Sequence, residues 1–67
     1  MVEIREEPGG YVVHCARYHD TFQCKANALL AARILATGEA VLADRDVQVL
    51  VPMGHGEVVR MDVLANA

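Results

Sequence analysis

Aromatic residues are nearly absent. Tyr11, Tyr18 and Phe22 are the only three in 67 residues, and there is no tryptophan. A core built around large rings is excluded, so Val, Leu, Ile, Ala and Met must supply it. Cysteine is as scarce: Cys15 and Cys24 alone do not make a disulfide scaffold. Positive charge is thin and dispersed over Arg5, Arg17, Lys25, Arg33, Arg45 and Arg60. At a net charge of −3 these six basic residues form no footprint for a phosphate backbone, and no nucleic-acid partner is expected. The longest apolar run, Ala28 to Ala32, falls far below the roughly 20 residues of a membrane-spanning helix. The charged start, Met1 to Glu7, lacks the pattern of a secretory leader. A soluble, cytoplasmic chain without a membrane partner is expected.

What the chain does have is aliphatic surface. Its apolar fraction is 54%, above the usual 45–50% or so. A single domain spanning residues 1–67 buries only a modest share of its surface and is marginal unless stapled or oligomeric. Apolar area left outside favours self-association.

The stretch Cys24 to Thr37 reads as the one helix. Ala and Leu dominate it, no Pro or Gly interrupts it, and Gly38 follows as a C-terminal stop. At about 100° per residue, Ala26, Asn27, Leu30, Ala31, Ile34 and Leu35 share an arc expected to face a sheet. Lys25, Leu29, Ala32, Arg33 and Ala36 share the other. A solvated face normally carries more polar residues, so these five are the candidate interface residues of a homodimer or of a contact with another protein.

Strand-like patterns flank the helix. Val2 to Glu6 alternates apolar and charged residues, and Glu7-Pro8-Gly9-Gly10 suits a type II turn into a strand from Gly10 to Arg17. Facing Glu7 with Gly10 sets Ile4 opposite Val13, Val2 opposite Cys15 and Glu3 opposite His14. Val2, Ile4, Val13 and Cys15 then point inward, and His14 and Val12 outward. Thr21 to Gln23 is either a third strand or the lead into the helix, with Phe22 as its anchor. Glu39 to Ala43 is weakly patterned, and Asp44-Arg45-Asp46 is a polar connector. Val47 to Val51 and Glu57 to Val63 alternate again around the turn Pro52 to Gly56. Pairing Val49 with Val59 and Val47 with Met61 joins their inner faces, Val58 points outward, and Asn66 and Ala67 are expected to fray. The expected fold class is α+β, a β-hairpin, one α-helix and a β-hairpin (ββαββ), with the helix packed on one face of an antiparallel sheet.

His14, Cys15, His19, Cys24 and His55 are the residues with metal-binding chemistry. Zinc takes Cys and His ligands in tetrahedral sites, usually opened by two ligands two to four residues apart on a turn. His14 and Cys15 are strand neighbours and point to opposite faces. Cys15, His19 and Cys24 are the candidate metal set if the chain folds back between them. Cys24 beside His19 and Asp20 also has the residue types of an activated thiol near a helix N-terminus. A chain this small has little room for a pocket of about 300 Å3, so no catalytic activity and no cofactor are expected. Gly54-His55-Gly56 reads as turn chemistry.

Two resemblances follow from quoted residues. Gly9-Gly10-Tyr11-Val12-Val13, then Lys25 with Ala28, Leu29, Ala32 and Arg33, then Val47 to Val51 with Gly56, resemble a family of small bacterial domains of unknown function. That likeness covers most of the chain and implies no activity. The Glu-rich first strand, Gly-Gly-Tyr, the second strand and the Ala-rich helix are similar to HicB-type antitoxins. This second likeness implies a regulatory partner that binds a toxin or nuclease. The leading expectation is a self-associating protein–protein interaction domain. The alternatives are an antitoxin-like partner and a Cys/His metal or thiol site.

Overall fold

Alternating apolar and polar residues form a hairpin where the sequence places one. The computed structural model describes residues 1–16 and 18–65; the expectations for Arg17, Asn66 and Ala67 lie outside them. β1 (Val2–Glu7) and β2 (Gly10–Cys15) are antiparallel, with Glu7 opposite Gly10, Ile4 opposite Val13 and Glu3 opposite His14. Gly9 takes φ 90°, the value the third position of a type II turn demands. Gly10 is needed for a different reason. A Cβ built there would sit 2.5 Å from the carbonyl oxygen of Phe22 on the next strand. That strand, β3 (Tyr18–Phe22), pairs with β2 so that Tyr11 faces Phe22, His14 faces His19 and Cys15 faces Tyr18. The segment before the helix is therefore strand as far as Phe22.

The helix, α1 (Lys25–Ala43), does not stop at Thr37. It runs through Gly38 and takes in Glu39 to Ala43, which the sequence pattern leaves unassigned. A mid-helix glycine costs only about 1 kcal/mol relative to alanine, and burial of Ala40 beyond it holds the extra turn in place. The stop is Asp44, at φ 54° in the left-handed conformation that aspartate tolerates better than most residues. The Asp44 and Arg45 N–H groups both donate to the Ala40 carbonyl oxygen.

β4 (Val47–Gly54) and β5 (Glu57–Val63) complete a five-stranded sheet of order β3-β2-β1-β4-β5. The sheet is mixed, which corrects the antiparallel expectation: β4 runs parallel to β1, pairing Val2 with Val49 and Glu3 with Leu50. The cause is parity. Three strands precede the helix, so it begins at the end where β1 finishes and returns the chain to the end where β1 starts. The second hairpin is also re-registered, with Val49 opposite Met61, Val47 opposite Val63 and Val51 opposite Val59. β4 continues through Pro52 with an irregularity before Gly54, leaving His55 and Gly56 as the turn. Both adopt left-handed φ, 53° and 78°, as a two-residue hairpin requires. The shift is even, so each side chain keeps its face.

The core is thin and aliphatic. Val2, Ile4, Val13, Val47, Val49 and Val51 line the covered face of the sheet, and Ala28, Ala32, Ala36 and Ala40 press on them from the helix. Met61 and Val63 are partly buried against this core, whereas Val59 is largely exposed on the edge strand. Val12 lies on the uncovered face, between Arg5 and Thr21 in the register, yet is buried to 7% exposure. Val58 is exposed, as expected.

Candidate functional site

The helix is seated half a turn away from the orientation its larger side chains suggest. Ala32 and Ala36, two of the candidate interface residues, have no exposed surface. Lys25 and Leu29 are half-buried, and Leu29 packs on the core; of the five candidates only Arg33 is exposed. In the other direction, Leu30, Ile34, Val41 and Leu42 are 57%, 65%, 67% and 89% exposed. Leu30, Ile34 and Leu35 belong to the arc expected to face the sheet; of these three only Leu35 packs against the core.

The reason lies in the row Ala28, Ala32, Ala36, Ala40, spaced four apart on one helix face. Small side chains let a helix lie close against a sheet already filled with valine. Leu or Ile in that row would hold the two layers apart. Rotating the alanines inward sends the row Leu30, Ile34, Gly38, Leu42 outward, because it is two residues out of phase, or about 160° round the axis. The regular four-residue spacing of the alanines was the sequence signal for this orientation. Extension of the helix past Gly38 adds Val41 and Leu42 to the outer face.

Beside that row runs an open groove of about 610 Å3 between the C-terminal half of the helix and the β2–β3 hairpin. Cys15, Tyr18, Ile34, Leu35, Gly38 and Leu42 are among its lining residues. It is larger than the chain length suggests, and it is a surface trough continuous with the exposed helix row. Tyr18 stands at its rim, where its hydroxyl donates to Asp20 Oδ2 at 3.1 Å. Desolvation, then the neighbouring Asp20 carboxylate, raises the phenol above its ordinary pKa. Asp20 Oδ1 accepts a 2.8 Å hydrogen bond from the Thr21 N–H, so both carboxylate oxygens serve the strand they sit on.

The Cys and His side chains do not assemble. Cys15 packs toward the helix. His19 faces His14 across the strand pair, and alternation puts both on the opposite side of the sheet. Cys24 is exposed beside the helix N-terminus, beyond the far end of β3. Among the described residues no three His, Cys, Asp or Glu side chains are grouped to hold a metal. His14 Nε2 sits 3.0 Å from Glu3 Oε1, the cross-strand neighbour expected from the register, but is not aligned for a hydrogen bond.

By length and composition α1 is apolar enough to cross a bilayer. Here it is the lid of the sheet, and lifting it would bare Val2, Ile4, Val13 and Val49. Comparison with family models, curated proteins and solved structures finds no match to the chain.

Proposed function

We propose that this chain is a self-associating interaction domain, forming a homodimer through the outer face of α1, with no reaction of its own. The observation that carries the reading is the inversion of the helix: its small side chains are buried and Leu30, Ile34, Val41 and Leu42 are exposed. Among the described residues, this apolar row points away from the sheet and stays open to solvent.

The charge of the chain bears on what could cover that face. A second copy is favoured over a lipid surface by charge. Helices that lie on membranes set an apolar face against a polar face rich in Lys and Arg. Here the face opposite the exposed row is alanine packed on a sheet, and the chain is net negative.

Sedimentation equilibrium from micromolar to millimolar chain tests this. A monomer–dimer equilibrium is expected, and Ile34→Glu is expected to abolish it while leaving the circular dichroism spectrum unchanged. A concentration-independent monomer overturns the homodimer. In that case, stoichiometric capture of one basic protein reassigns the face to an antitoxin-like contact, and flotation with phosphatidylcholine vesicles reassigns it to lipid.

A further inference from the structure

The sheet has two open edges, and they are built differently. β3, on one side, carries a charge on its covered face. Asp20 stands opposite Val13 midway along a five-residue strand, and its Oδ1 takes up the Thr21 N–H at 2.8 Å. An inward charge and a short strand are two of the ways in which natural sheets blunt an edge. β5, on the other side, has neither. From Val58 to Val63 it contains no Pro, Gly or Lys. Its covered-face positions, Val59, Met61 and Val63, stand opposite Val51, Val49 and Val47 and are all apolar.

The charges of β5 are unmatched within the chain. Arg60 stands opposite Leu50 and Asp62 opposite Gln48. Both are exposed, and among the described residues neither has an ion-pair partner. The order of residues along the strand supplies one. Outward from Met61 in either direction a charge comes first and an aliphatic residue next, and the two charges are of opposite sign. Such a strand is complementary to its own antiparallel copy. Setting Met61 against Met61 puts Arg60 opposite the second copy's Asp62, Asp62 opposite its Arg60, and Val59 opposite its Val63. Val58 then falls opposite Leu64, the residue after the strand; these two are 60% and 55% exposed. Opposed residues share a face, so registers that keep the apolar face together differ by two residues. One such step in either direction sets Arg60 on Arg60 or Asp62 on Asp62, and opposed like charges are destabilising.

We infer that β5 is a pairing edge for a second copy of this chain, in antiparallel register about Met61. Each residue meets its counterpart reciprocally, as a two-fold interface requires. The two-fold axis runs perpendicular to the sheet, so the two five-stranded sheets become one and both α1 helices lie on the same face of it. The contact uses no residue of the outer face of α1 and is independent of the homodimer proposed there. A strand edge of this length falls at the small end of interface sizes, so the pairing is transient in isolation and is read by trapping.

Every chain in the test carries Ile34→Glu, which removes the helix face, and Cys24→Ser, which removes the exposed thiol. Met61→Cys is the direct trap. Opposed Cα atoms lie about 4.5–5.5 Å apart, within the roughly 4.4–6.8 Å that a disulfide spans. In the same register two Val59→Cys chains hold these positions about 13 Å apart, four residues along the strand. On mild oxidation Met61→Cys is expected to dimerise about tenfold faster than Val59→Cys, although residue 59 is the more exposed. A second trap leaves Met61 in place: Val59→Cys and Val63→Cys chains link to each other faster than either links to itself. Charge reversal then tests the register. In the Met61→Cys chain, Arg60→Asp or Asp62→Arg alone sets like charges opposite each other and slows linkage about tenfold. Mixing the two variants restores both ion pairs, so the heterodimer outweighs each homodimer. A heterodimer at the statistical half, or linkage indifferent to these charges, overturns the register. Linkage of Met61→Cys to Asp20→Cys, with none between Met61→Cys chains, overturns self-pairing and reassigns the edge to β3 of the next copy.

Discussion

Truncating Ile34 is expected to be nearly harmless to folding, and enlarging Ala32 is expected to be severe. Ile34 is 65% exposed, so about a third of its side chain is out of water. Full burial of such a side chain is worth about 1.5–3 kcal/mol, which sets the cost of Ile34→Ala at roughly 0.5–1 kcal/mol. Ala32 has no exposed surface and lies in the row that seats the helix on the sheet. Ala32→Leu adds three carbons where the layers touch, and overpacking of this kind costs about 1–3 kcal/mol. A 67-residue domain has about 3–10 kcal/mol in total, so the upper end of that range unfolds a marginal chain. The assay is urea denaturation followed by far-ultraviolet circular dichroism. Both variants are built on Leu42→Glu, at a position 89% exposed, so that the proposed self-association does not contribute. An Ile34→Ala loss above about 2 kcal/mol, the range of core truncations, with Ala32→Leu tolerated, would mean that the helix is seated half a turn round, with Ile34 inward and Ala32 outward.

Two further substitutions probe the local geometry. Gly10→Ala places a methyl 2.5 Å from the Phe22 carbonyl oxygen. A backbone partner cannot swing aside as a flexible side chain does, so a loss of about 1–3 kcal/mol is expected in thermal melts; an unchanged melting temperature would show that β2 and β3 are not so close there. Cys24→Ser is expected to stabilise. Cys24 occupies the helix N-cap in extended conformation without a side-chain hydrogen bond, and the first turn carries no acidic residue. A serine hydroxyl can accept from an unsatisfied N–H, which is worth about 1 kcal/mol, or roughly 4–8 °C in a domain of this size; no rise would mean that the helix does not begin at Lys25.

The first hairpin was legible because two independent signals agree on it. Pro8-Gly9 fixes the turn, and the alternation of Val2, Ile4, Val13 and Cys15 fixes the face. The second hairpin had the face and not the register. Pro52 and Met53 read as part of a turn, whereas the sheet accommodates them in β4 beside an irregularity and turns on His55 and Gly56 alone. The direction of β4 depended on a single local question. With Thr21 to Gln23 left undecided between strand and helix lead, the number of chain reversals before β4 was undecided too. Once β3 exists, β4 must run parallel to β1. A five-residue strand thus decides the class of the sheet, which shows how a non-local property follows from a short and weakly patterned segment.

The candidate site was misread for a different reason. Reading amphipathicity assumes one apolar partner, so the largest apolar side chains are assigned to it and whatever remains is called outside. This helix has two apolar faces, and size separates them. Alanines at 28, 32, 36 and 40 face a sheet of short valines, where close approach is what counts. Leu30, Ile34 and Leu42 face outward, where longer side chains reach further. Gly38 in the outer row costs the helix about 1 kcal/mol relative to alanine, whereas the four covered positions hold alanine without exception, so the row that meets the sheet is the one whose side-chain size is fixed.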